Sequence, residues 1–207
     1  MALVKLNNRG VRSATTFGSI SALGEMRFIK KLTSDGSDDD LSFIDGTDDV
    51  VLDDTYKEYL FTFNNIHPET DNVEFSFQAN ASGGSGYNET VTSTMFYSYH
   101  DEGDGSQGIG YSTSGDQAQG TSFIKLGMSL GNDNDQSLSG TLHLFNPSST
   151  VFVKHFIARC NYAHPSDYTE EDYKAGYFNT TSAIDEIQFK MSADEIQGGD
   201  ICLYGIN

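Results

Sequence analysis

Apolar and polar residues alternate with a period of two over most of this chain, the signature of half-buried β-strands. The clearest stretch lies near the end, from Gly176 to Ile206. There Ile187, Phe189 and Met191 alternate with Glu186, Gln188 and Lys190. After the turn-forming segment 193–199, Ile201, Leu203 and Gly205 share one face and Cys202, Tyr204 and Ile206 the other. This pattern predicts two antiparallel strands that close a β-sandwich, with the Gly198-Gly199 pair freeing the backbone to turn.

Earlier segments repeat the pattern. Met26 to Lys31 and Leu41 to Asp45 predict two short strands, and Val50 to Leu52 is a third short apolar run. Lys57 to Ile66 is the strongest strand, with Tyr59, Phe61 and Phe63 on one side. Asn72 to Ala79 follows with Val73, Phe75 and Phe77 inside, and the two aromatic faces are expected to meet as cross-strand pairs. Further strands are expected at Thr90 to Tyr99, at Phe123 to Leu130, and as a hairpin of Leu138 to Phe145 with Val151 to Ala158. Residues 100–120 read as a long surface loop or a weak hairpin around Ile109 and Tyr111. Asp167 to Lys174 is the one segment with a helical turn in prospect. Eight or more strands separated by turn signals predict an all-β chain: a jelly-roll-like β-sandwich over 26–207, with a closed up-and-down barrel as the alternative. Residues 1–25 lack either period and predict an extended N-terminal arm.

Composition sharpens this picture. The chain has 207 residues, enough for one large β domain, and its 14 Phe and 11 Tyr must carry the core because Trp is absent. Twenty-one Gly against 3 Pro suit many tight turns. Nothing approaches the ~20 apolar residues of a membrane helix, and no apolar stretch of a secretory leader opens the chain. Cys160 and Cys202 are the only cysteines and are expected to be free and buried.

Charge is unevenly spread. The formal net charge is −18, yet residues 1–31 carry six of the twelve Lys and Arg and one acid, Glu25. That segment is +5 and the remainder −23. An acidic body repels phosphates and argues against a nucleic-acid partner, while a basic arm suits docking on an acidic one.

Candidate chemistry is sparse. Gly103, Gly105 and Gly108 fit G-x-G-x-x-G, but no strand–helix unit surrounds them, so the match reads as loop composition. Asp133 and Asp135 imitate the opening of an EF-hand loop, whose glycine position holds Leu138 instead. This cluster and Asp38-Asp39-Asp40, Asp48-Asp49 and Asp53-Asp54 read as solvated turn acids. The five histidines show no metal-ligand spacing, although His143 and His155 sit on adjacent predicted strands. No G-x-S-x-G elbow occurs, and thirty acids offer no selectable catalytic pair. No cofactor, metal or enzymatic activity is expected. Three N-x-[ST] matches, at Asn80, Asn88 and Asn179, read as chance in an Asn- and Thr-rich chain.

Several ordered segments carry a resemblance: YLFTFNNIHPETDNVEFSFQAN, GGSGYNETVTST, SGTLHLFNPSSTVFVKH and GYFNTTSAIDEIQFKMS with GGDICLYGI. Together, over most of 23–207, they resemble small β-sandwich structural proteins of marine tailed bacteriophages. The resemblance implies a virion component made in the host cytoplasm: an accessory tail or fibre protein, or alternatively a capsid decoration or head-fibre protein. It implies homo-oligomers, often trimers, with no membrane insertion. Other virion proteins would be gripped through the arm, for which Lys5, Arg9, Arg12 and Arg27 are the candidate residues. Loops 82–92, 100–120 and 161–182 would be exposed tips facing a host glycan or protein. Tyr99, Tyr111, Tyr162 and Tyr168 are the candidate contacts, since tyrosine offers rigid contact area at low entropic cost. A soluble carbohydrate-binding jelly-roll module is the second alternative, weakened by the lack of Trp.

Overall fold

A computed structural model describes residues 26–207. Among these residues there are thirteen strands and no helix. In chain order they are β1 Met26–Thr33, β2 Asp40–Ile44, β3 Glu58–Pro68, β4 Val73–Ala81, β5 Val91–Asp101, β6 Gln107–Tyr111 and β7 Gln117–Gly120. They continue with β8 Ile124–Leu130, β9 Leu138–Phe145, β10 Lys154–His164, β11 Tyr168–Phe178, β12 Ile184–Met191 and β13 Ile196–Ile206.

Two antiparallel sheets form. One runs β1-β13-β3-β9-β10-β11-β5-β6, with β7 also on β5, and the other runs β2-β12-β4-β8. Four pairings nest within one another: β1 with β13, β2 with β12, β3 with β9 and β4 with β8. They make one long antiparallel ribbon. Rolling that ribbon lays β13 against β3 in one sheet and β12 against β4 in the other. This is jelly-roll topology in eight strands. The remaining five strands, β5, β6, β7, β10 and β11, all extend the larger sheet on the β9 side.

The core lies where the four-stranded sheet covers the larger one. Phe189 of β12 is fully buried and is its hub. Its ring lies 5.3 Å from Phe61 and from Phe63 on the opposite sheet, and 6.0–6.2 Å from Phe43, Phe75 and Phe77 on its own. The apolar faces expected for β3, β4 and β12 are buried, and of the two faces of β13 the one with Ile201, Leu203 and Gly205 turns inward. Two buried polar side chains tie loops to this core. Gln78 Nε2 donates to the carbonyls of Glu89, Thr121 and Ser122, and Lys154 Nζ donates to those of Phe152 and Thr180.

Four expectations change. β12 and β13 close the sandwich but do not pair with each other; they lie in opposite sheets, and segment 192–195 crosses between them. β3 and β4 are likewise in opposite sheets, so Phe63 and Phe75 meet edge-to-face at 5.4 Å across the sandwich and not along a hairpin. Val50 to Leu52 forms no strand, though Val50 and Leu52 are buried beneath the loop. The segment expected to turn as a helix, 167–174, lies almost wholly within β11. Glu170, Asp172 and Lys174 occupy its inward positions, which hides the strand period.

β3 and β13 share one irregularity. Register shifts fall at Phe63/Ile66 and at Gly198/Asp200, where Asn65 and Gly199 take positive φ of 52° and 117°. A Cβ at Gly199 would stand 2.6 Å from the Asn65 carbonyl oxygen, so only glycine fits this bulge.

Candidate functional site

Nine strands are wider than four. The inner face of β11, β5 and β6 therefore projects past β8, the edge strand of the smaller sheet. Inward positions that would be Phe in the core are here Tyr, Asp and Glu. They wall a cleft of about 550 Å³ between the overhang and β8.

β5 contributes Tyr97, Tyr99 and Asp101, and β11 contributes Tyr168 and Glu170. His164 at the end of β10, Met128 and Ser129 of β8, and Ser106, Ser112 and Ser166 complete the wall. Tyr97 and Tyr99 lie side by side, with ring centroids 6.3 Å apart and planes 25° from parallel. Their neighbours across the strand pair are Gly110 and Gly108 of β6. A Cβ at Gly110 would come 2.9 Å from Tyr97 Oη, and one at Gly108 3.0 Å from Tyr99 Cε1. Both rings therefore pack across glycine, an arrangement that a side chain at Gly108 or Gly110 would disturb.

Tyr168 forms the adjoining wall. Its ring is 5.6 Å from Tyr99 and tilted by 57°, and His164 stacks behind it at 3.9 Å. The Ser166 N–H donates to His164 Nδ1, which fixes the ring. At the rim, the Gly105 N–H donates to Asp101 Oδ1 at 2.7 Å, and Tyr99 Oη lies 3.4 Å from Ser106 Oγ.

Burial sets the charge of this wall. It pushes the Glu170 carboxyl up from the ordinary glutamate range. Burial, then the nearby Glu170 charge, pushes Tyr168 up to about 12. Burial pushes His164 down, and its Nδ1 accepts the Ser166 N–H. Behind Glu170, on the same face of β11, Asp172 is buried with neither carboxyl oxygen hydrogen-bonded. Burial and then the Glu170 charge push its carboxyl up, while burial pushes the amine of the neighbouring Lys174 down. Lys174 Nζ donates to the Lys125 carbonyl. The wall thus offers aromatic faces, hydroxyls and carboxyls, and no Lys or Arg.

The candidate residues scatter. Tyr99 and Tyr168 come together in this cleft. Tyr111 does not: it lies on the outer face of the sheet opposite Phe96, with its hydroxyl on Asp116. Tyr162 is not on an exposed loop. It is a buried inward residue of β10 whose Oη accepts the Met128 N–H. Loop 161–182 is largely the end of β10 and all of β11, and 100–120 contains β6 and β7. Arg27 is exposed on β1, while Lys5, Arg9 and Arg12 lie outside the described residues. Tyr97, His164, Asp101 and Glu170 were not singled out by sequence. The one signal that could have found Tyr97 is the Tyr-x-Tyr of β5, which faces the Gly-x-Gly of β6 once the strands pair.

Other candidates resolve into structure. His143 bonds Glu58 at 2.6 Å and His155 packs on Tyr177. Cys160 and Cys202 are free and buried. Asp53 accepts the Thr55 N–H, and Asp48 and Asp49 hold positive-φ turn positions. No group of three or more His, Cys, Asp or Glu among the described residues is placed to hold a metal. A second, shallow apolar groove of about 500 Å³ crosses the outer face at Thr94, Ile157 and Ala175.

Comparison of the chain with protein-family models, with curated proteins and with solved structures finds no match.

Proposed function

We propose that this protein is a non-enzymatic structural component of a bacteriophage virion, an accessory tail or fibre protein anchored through residues 1–25 that contacts the host surface. The observation that carries the reading is the placement of the two ends of the large sheet. The chain leads into β1, one outermost strand, whereas the tyrosine cleft lies at the β5–β6 end. Seven strand spacings separate β1 from β6, about 34 Å at ~4.8 Å each. A particle holding the arm would leave the cleft pointing outward. The resemblance of the ordered segments supports the virion assignment, and the jelly roll is a fold that viral and lectin domains both use. Fold alone assigns no function, so the reading rests on placement and resemblance together.

In this reading the protein is a homo-oligomer, a trimer, and its acidic body stays soluble beside other virion proteins. A capsid decoration or head-fibre protein is the alternative attachment site, and a soluble carbohydrate-binding module is the alternative class. Gold-labelled antibody imaging of intact particles tests all three. Label on the tail or its fibres is the expected result. Label spread over the head moves the protein to the capsid. No label, with the protein detectable in the lysate, overturns the virion reading.

A further inference from the structure

We infer that the cleft walled by Tyr97, Tyr99, Tyr168, Asp101 and Glu170 is a binding site for a neutral saccharide. The inference rests on the host-contact reading above and names the chemistry of the contact.

Four features select this ligand class. The first is the aromatic surface. Tyr97 and Tyr99 present two neighbouring rings with nearly parallel planes, more aromatic surface than a single small group needs, packed across Gly108 and Gly110 of β6. The negative face of an aromatic ring attracts the slightly positive C–H face of a pyranose. The second is the wall. Tyr168, braced by His164, rises at an angle from this floor and grips the edge of a ring lying on it.

The third is the polar set. Sugar hydroxyls donate to carboxylates and exchange hydrogen bonds with serine, and Asp101, Glu170, Ser106 and Ser129 border the aromatic faces. Asp101 is oriented by the Gly105 N–H before any ligand arrives. The fourth is charge. The wall carries no Lys or Arg, so sulfated, phosphorylated or uronic sugars would meet only repulsion. A purely apolar ligand would bury the carboxyls without compensation. A metal cation finds no group of three or more His, Cys, Asp or Glu placed to hold it among the described residues. A volume of about 550 Å³ suits a short oligosaccharide.

The test uses the full chain and soluble trisaccharides. Maltotriose, cellotriose and mannotriose form the neutral arm, trigalacturonate the acidic arm, and trilysine the cationic control. Saturation-transfer NMR and calorimetry are expected to find at least one neutral sugar binding with a Kd of about 0.1–1 mM, a range usual for shallow sites. Tyr99→Ala and Tyr168→Ala should each weaken that affinity about tenfold or more, by analogy with aromatic stacking losses. Glu170→Gln, which keeps the shape, should weaken it several-fold. Ile109→Ser on the outer face should leave it unchanged, and thermal melts check that each variant is folded.

Absence of binding across the neutral arm overturns the inference. So does equal or tighter binding of trigalacturonate or trilysine, or neutral binding that survives in both folded tyrosine variants. The two readings fail separately. A protein that labels particles but binds no sugar overturns this inference alone. One that binds through Tyr99 and Tyr168 yet is missing from particles overturns the virion assignment and leaves the saccharide site in place.

Discussion

The larger sheet has two halves built by the same alternation to different ends. Under the four-stranded sheet its inward residues are Phe61, Phe63, Leu142 and Leu203, all essentially free of solvent. Past β8 the inward residues are Tyr97, Tyr99 and Tyr168, with Asp101 and Glu170 between them. Phe and Tyr differ by one hydroxyl, and that hydroxyl sits where a covering layer is missing and water reaches. Phe fills most of the covered aromatic positions and Tyr the uncovered ones, while Tyr59 and Tyr162 are buried with their hydroxyls hydrogen-bonded to backbone. The covered half is the eight-stranded frame together with β10, and the overhang is the β11–β5–β6 end of the added strands, where the cleft lies.

The sharpest way to break this contrast is to empty each half in turn. Phe189→Ala removes the ring that touches five other phenylalanines and should cost about 3–5 kcal/mol in urea unfolding. Tyr99→Ala in the overhang should cost about 1 kcal/mol or less, since the ring is part-exposed and leaves no sealed cavity. Equal losses would erase the distinction between frame and platform.

A middle-sized effect comes from the seam between the halves, where Asp172 lies buried without hydrogen bonds. Burial raises its carboxyl above the unfolded range, so the native state holds the proton more tightly than the unfolded chain does. That contribution to stability is present at low pH. It is lost as pH rises from the ordinary carboxylate range, near 4, through the folded value, by at most about 1.4 kcal/mol per pH unit. Lys174 beside it shifts the opposite way, and its own contribution grows with pH only above its lowered value, closer to the alkaline side. Between pH 4 and 7, urea midpoints of the wild type should fall more steeply than those of Asp172→Asn. Parallel curves would show that Asp172 ionises as it does in water.

The smallest effect should come from Gly110→Ala. Its Cβ meets only the far end of the Tyr97 side chain, which can swing away, so stability should change by less than about 1 kcal/mol. Tyr97 would leave the floor, and neutral-sugar affinity should drop several-fold in the same calorimetry. A large stability loss with unchanged affinity would mean that the glycine serves the strand and not the cleft.

How much of this was legible follows from what the period of two can report. It says which residues share a face, and so Ile187, Phe189 and Met191, or Tyr59, Phe61 and Phe63, declared themselves. It does not say which sheet a strand joins, and so β12 with β13, and β3 with β4, read as hairpins. Jelly-roll wrapping sends chain neighbours to opposite sheets, and sequence proximity misleads there. β11 was hidden for another reason: Glu170, Asp172 and Lys174 point inward, where a strand ordinarily shows apolar residues. The site shared that fate. Tyr99 and Tyr168 were visible as tyrosines, but β5 and β11 become neighbours only in the folded sheet, where Tyr99 stands opposite Glu170. Tyr162, of the same residue type, went to the core instead. Nothing local separates it from the other two, because the difference is the position of β8.

Amide hydrogen exchange on the full chain tests the division into frame and platform most directly. Amides of β3, β4, β12 and β13 should exchange only through global unfolding. Those of β6, β7 and the Tyr97–Asp101 end of β5 should open locally at a cost about 3 kcal/mol or more below the global value. Uniform protection across all thirteen strands would contradict the account and make the five added strands part of one indivisible core.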